Sequence, residues 1–143
     1  MSKTQTIYGT IFDVREAMNV FIKLVTSLVL LFTLPSDIPF GSLEKAMEMN
    51  DSKSIVNLGT DKILLNILGK EGAYTHSQAQ LILTEFFTKK PKGTFSFIFR
   101  GKETSDGVFA VGNYVAKSES FRTTFHFRTV KSESKLESLT IAN

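Results

Sequence analysis

The 143-residue sequence has room for one ordinary domain with one core, and no internal repeat or low-complexity tract divides it. Its composition is globular, 42% apolar and 22% charged, and a formal charge of +3 is too small and too dispersed to require a nucleic-acid partner. The lack of cysteine excludes a disulfide framework, a thiolate metal site, a cysteine nucleophile and a lipid-anchoring cysteine, and His76 and His126 are the two imidazoles.

From Met18 the chain reads MNVFIKLVTSLVLLFTLPSD. Lys23, an uncharged run from Leu24 to Leu34, then Pro35 and Ser36 follow the order of a secretory signal: basic start, apolar middle, small-residue exit. The run falls short of the ~20 residues that cross a bilayer core, so a permanent span is not expected. A buried helix of the domain would need a polar face, and Leu28 to Phe32 offers none. Asp13 and Glu16 stand where such a signal is basic, which points to a start at Met18. Cleavage is expected after Ser36, although Leu34 fits the outer small-residue position poorly. The expectation is a leader over residues 1–36 and a single exported domain over 37–143, periplasmic, envelope-associated or secreted.

Two short helices should open the domain. Ser42 precedes LEKAMEMN, whose Leu43, Ala46 and Met47 share a face, and Asp51 can cap a second segment through Ile55, Val56 and Leu58. KILLNILG reads as a strand, returned by a Lys70-Glu71-Gly72 turn through Ala73, Tyr74 and Thr75. Ser77 with Gln80 reads as a capping box, and Ala79, Ile82, Leu83 and Phe86 build the apolar stripe of a helix ended by Lys89, Lys90 and Pro91. Four runs of alternating character follow, at 94–101, 107–117, 120–131 and 135–142, and predict an antiparallel meander.

Alternation assigns faces. In FRTTFHFRTV, Phe121, Phe125 and Phe127 share one side with Thr123 and Thr129, while Arg122, Thr124, His126 and Arg128 share the other. Phe95, Phe97 and Phe99 repeat the pattern opposite Ser96, Ile98 and Arg100. One sheet face is therefore phenylalanine-rich and needs helices over it, and the other is mixed and basic.

The element order of two helices, a hairpin, a helix and a four-strand meander resembles the nuclear transport factor 2-like (cystatin-like) fold, an α+β cone of N-terminal helices on a curved, mainly antiparallel sheet. Within it, NILGKEGAYTHSQAQLILTEFFTKKPKGTFSFIFRG, with the later Ala110-Val111-Gly112 and Phe121-Arg122, is similar to the bacterial domain-of-unknown-function 4783 family. The resemblance spans about residues 37–143 and implies fold and export; it brings no catalytic residues to carry across.

Enzymes of that fold place an acid or base in a pocket between helices and sheet, with a donor to hold developing charge. Tyr114, Asn113 and His126 are the meander residues that approach such roles, but His126 shares parity with Arg122 and Arg128 and should lie exposed, away from the pocket. No catalytic dyad, metal-ligand spacing, cofactor site or phosphate loop is read; Gly101, Gly107 and Gly112 read as turns and bulges. If the concave side holds a small apolar ligand, Ile82, Phe86, Phe95, Phe97, Phe99, Tyr114, Phe125 and Phe127 would line it. Arg100, Arg122, His126 and Arg128, with Lys117, would form a positive stripe for an anionic partner or a homodimer. The expected function is a noncatalytic small-ligand-binding or protein-interaction domain; the alternative is a small pocket enzyme of the isomerase or dehydratase type.

Overall fold

The computed structural model describes residues 13–26 and 37–143. Most of the uncharged run of the expected signal, and its exit, lie outside the described residues. The chain divides between Pro35 and Ser36. Before the division, residues 13–26 form helix α1, whose Val14, Met18, Phe21 and Leu24 are exposed. No helix among the described residues is long and apolar enough to cross a membrane.

After the division the chain forms α2 (Phe40–Glu48), α3 (Ser52–Asn57), β1 (Gly59–Ile67), β2 (Lys70–Thr75), α4 (His76–Lys89), β3 (Thr94–Arg100), β4 (Val108–Ala116), β5 (Glu119–Val130) and β6 (Glu133–Ala142). In α2 the expected face is buried through Leu43, Ala46 and Met47, but the helix starts behind Pro39, ahead of Ser42. Asp51 caps α3, accepting from the Ser54 N–H at 3.1 Å and the Ser54 hydroxyl at 2.6 Å. That hydroxyl, then the N–H, holds the Asp51 carboxyl below the usual carboxylate range.

Two expected boundaries move. The first hairpin turns at Leu68-Gly69, both with positive φ, rather than at Lys70-Glu71-Gly72, because Ile67 already pairs with Lys70. Two residues in the left-handed region give the turn whose twist suits paired strands. The capping box of α4 is Thr75 with Gln78 rather than Ser77 with Gln80. The same spacing occurs twice, and Thr75, still paired with Lys62, is the last extended residue before the helix.

The six strands form one curved sheet in the order β2-β1-β6-β5-β4-β3. The meander β3 to β6 is antiparallel throughout, and β1 joins the leading hairpin to it by pairing parallel with β6. Helices cover the inner face, and the core is closed by Leu43, Met47, Ile55, Leu83 and Phe86 above Phe121, Phe125, Phe127, Leu139 and Ile141. Gly112 leaves space for Phe95, since a Cβ there would sit 2.4 Å from that ring. Thr123 carries the inner face's buried hydroxyl that has no hydrogen-bond partner among the described residues.

Candidate functional site

The inner face is filled by interlocking rings. Phe95, Tyr114, Phe125 and Phe127 are buried, and edge-on contacts link Phe95 to Phe125, Phe40 to Phe127 and Phe86 to Phe121 at centroid separations of 5.3–5.9 Å. Edge-to-face pairs of this spacing are favourable and rigid. Phe97 is half-buried and packs under Phe40 of α2, at 5.4 Å. Ile82 and Phe86 border a separate cleft beside the first hairpin.

Two expected positions are corrected by one β-bulge. Phe97 pairs with Gly112 but Phe99 pairs with Val111, so Ile98 is an extra residue and parity reverses beyond it. Phe99 therefore leaves the inner face and stands 56% exposed. Arg100, expected outside, turns inward to the rim: its guanidinium lies over Phe97 (4.8 Å) and Phe40 (5.5 Å) and donates to Glu44 of α2 at 3.2 Å. A guanidinium above two rings, with a carboxylate as its partner, covers that end of the core.

Tyr114, expected as pocket lining and one of three meander residues that approach a donor's role, is a latch. Its hydroxyl donates to the Lys90 carbonyl at 2.8 Å and accepts the Gly93 N–H at 3.1 Å. A phenol has one proton, so the third contact requires the Asn50 amide to present its NH2, which donates to Tyr114 at 2.9 Å and to the Met47 carbonyl at 3.1 Å. The Asn50 oxygen then accepts the Lys92 N–H at 2.9 Å. One side chain thus ties the end of α2, the end of α4 and the start of β3 together. Asn113, the other candidate, points to the outer face and accepts from Ser120 at 2.7 Å.

The outer face holds the arrangement that alternation did not reveal. His126 is half-buried rather than fully exposed, stacked on Phe109 with centroids 4.3 Å apart. Its Nδ1 lies 2.8 Å from a Glu137 oxygen, and its Nε2–H donates to the Asp106 carbonyl at 2.9 Å. Arg128 donates to the second Glu137 oxygen at 2.9 Å. Each ring nitrogen thus faces an oxygen atom, one of Glu137 and one of the Asp106 backbone. A bulge in β6 makes this meeting: His126 pairs with Ser138 but Phe127 with Leu136, leaving Glu137 unpaired and turned toward β5. Arg122 and Arg128 are exposed on this face, as alternation predicts, whereas Lys117 occupies the β4–β5 turn at φ 57°. Beside the cluster an open groove of about 650 Å3 runs past Lys62, Leu64, His76, Val130 and Lys135. Among the described residues no three His, Asp or Glu side chains converge as metal ligands.

The model of the family described as "Domain of unknown function (DUF4783)" matches residues 40–142, nearly the whole of the chain beyond the division. The chain belongs to the DUF4783 family. It is similar to a DUF4783 structure from Bacteroides uniformis ATCC 8492, with TM-score 0.68 and 21% identity over 75% of this chain and 97% of that one. A DUF4783 structure from Bacteroides fragilis YCH46 is alike at TM-score 0.67 and 23% identity, covering 75% and 99%. An NTF-2 like protein of unknown function from Shewanella oneidensis MR-1 follows at TM-score 0.56 and 12% identity, covering 73% and 93%. This DUF4783 domain therefore has the nuclear transport factor 2-like, cystatin-like fold, as the element order implies. Among curated proteins none matches the chain.

Proposed function

We propose that the domain is exported and acts as a noncatalytic interaction module, pairing with a second copy of itself through the outer sheet face. The observation that carries this reading is the face itself: Leu64, Phe99 and Phe109 are about half exposed there, beside an ordered charge cluster. Lys62, Arg122, Arg128 and Lys135 share the sheet surface with Glu71 and Glu137, so a copy turned about a two-fold axis can set basic against acidic groups. Six strands spaced ~4.8 Å apart, with about nine residues each, offer roughly 800 Å2, the area each partner of a standard interface contributes.

The noncatalytic part rests on where polar atoms are used. Tyr114 gives its proton to a backbone carbonyl, and both nitrogens of His126 are engaged, so neither is placed to exchange a proton with a ligand. A pocket enzyme would place a buried acid beside Tyr114 or Asn113; their partners are an amide, backbone groups and a serine hydroxyl. Export rests on the Met18 to Ser36 pattern and on the division of the chain next to Ser36.

Protein recovered from the cell envelope is expected to begin at Asp37 and to sediment as a dimer. The double variant Arg122→Ser/Arg128→Ser should move it toward monomer and flatten its salt dependence, with folding stability within ~0.5 kcal/mol of wild type. Wild-type monomer at roughly 100 μM would contradict self-pairing. A cytoplasmic protein beginning near Met1 would contradict export.

A further inference from the structure

A second site lies on the opposite side of the sheet from the charge cluster, between α4 and the β1–β2 hairpin. Ile67, Leu68, Tyr74, Ile82 and Phe86 wall a half-open cleft of about 180 Å3. Its mouth carries Lys70, Lys89 and Lys90 against a single acid, Glu85. Lys89 pairs with Glu85, and Lys90 pairs with Glu119 on β5. Lys89, with the nearby charge of Lys70, holds the Glu85 carboxyl below its usual range. Lys70, on the edge strand, is thus the cation at the mouth that no carboxylate holds in an ion pair among the described residues.

Leu68 adds an independent sign of use. It sits in the left-handed region at φ 52°, at a turn position that asparagine or glycine adopts at lower cost. It is also 47% exposed, yet it forms a wall of the cleft. The Leu68 N–H ties the turn to Ile141 of β6 at 2.8 Å, a bond any residue but proline could make, so what the leucine side chain adds is apolar surface for whatever enters the cleft.

We infer that this cleft binds a small amphipathic carboxylate, its tail against Leu68, Ile82 and Phe86 and its head at Lys70. Size selects the tail: an apolar cavity of about 150 Å3 accommodates one benzene ring, so the volume here suits a single ring or a chain of about six carbons. Charge selects the head, since the surplus of lysine over glutamate at the mouth attracts an anion and a lone ammonium satisfies one carboxylate. Ammonium heads are disfavoured by the same surplus, and neutral heads leave it unused.

Titration of the isotope-labelled full chain with phenylacetate, followed by amide chemical shifts, tests the site. Saturable shifts are expected at Leu68, Tyr74 and Ile82, with benzyl alcohol and acetate each at least tenfold weaker. Lys70→Glu should weaken phenylacetate at least tenfold, and Ile82→Trp, which fills the cleft, should abolish the saturable shifts. The inference is overturned if phenylacetate gives none, if benzyl alcohol matches it, or if both variants keep wild-type affinity. Should Ile82→Trp melt far below wild type, Lys70→Glu decides alone, because that edge-strand side chain is exposed.

Discussion

Truncating Phe125 to alanine is expected to destabilise the domain by about 3–5 kcal/mol. The ring is fully buried at the middle of β5, and it meets Phe95 and Phe97 edge-on at 5.9 and 5.8 Å. Those rings are held in turn by Gly112 below and Phe40 above, so the surrounding atoms have little freedom to collapse into the void. Native domains are stable by only ~5–15 kcal/mol, and the melting temperature should fall by more than about 10 °C. Phe97→Ala, at a half-buried ring, should cost distinctly less. Thermal melts of the two variants check both the size and the order of the effects; equal, small losses would mean that the phenylalanine face is not the core.

Tyr114→Phe is expected to cost about 2–3 kcal/mol although it removes one oxygen atom. The ring would still fill its place between Phe86 and Phe87. What is lost is the partner of the Lys90 carbonyl, the Gly93 N–H and the Asn50 amide, three groups at the ends of α2, α4 and β3. Part-buried polar groups left without partners carry most of the penalty, and the last turn of α4 and residues 90–93 should show the largest rise in hydrogen exchange. Gly93 packs directly on the phenol, which lies 2.6 Å from where a Cβ would be, so the ring and this turn are in close contact. Unchanged stability and exchange would show that water replaces the hydroxyl and that Tyr114 is available to a ligand after all.

The division between faces was readable from β5 because one strand of continuous period two carries it. Phe121, Phe125 and Phe127 are buried and Arg122 and Arg128 exposed, as their parity dictates. Parity failed where the backbone inserts a residue. Ile98 reverses the end of β3, taking Phe99 out and Arg100 in, and Glu137 leaves the β6 ladder to meet His126. No turn residue marks either bulge: TFSFIFR keeps a phenylalanine at every second position straight through Ile98, and ESKLESLTIA gives no turn signal. The His126–Glu137–Arg128 cluster was illegible for a second reason, since it depends on the register of two strands that meet through Lys131-Ser132, a pair without the glycine or asparagine usual at positive φ. Of the walls of the cleft beside α4, Ile82 and Phe86 are legible as pocket lining, but their helical stripe groups them with the phenylalanine face, whereas Ile67, Leu68 and Tyr74 read only as a strand and its return. Tyr114 illustrates the limit in the other direction: its residue type suggested chemistry, and its three partners, far apart in sequence, make it a structural tie.

The central claim, that two copies meet outer face to outer face, can be tested with a single thiol, because the sequence has no cysteine. Thr124 lies on β5, paired with Thr140 of β6 at the middle of the strand order, where a two-fold axis through the face would pass. Leu81, 71% exposed on α4, lies on the helical side. Thr124→Cys and Leu81→Cys proteins should be treated with a short bis-maleimide at low micromolar concentration. The account predicts a covalent dimer in high yield from Thr124→Cys, lost when Arg122→Ser/Arg128→Ser is added, and monomer from Leu81→Cys. Equal yields from the two positions, or none from Thr124→Cys while it remains folded, would contradict it.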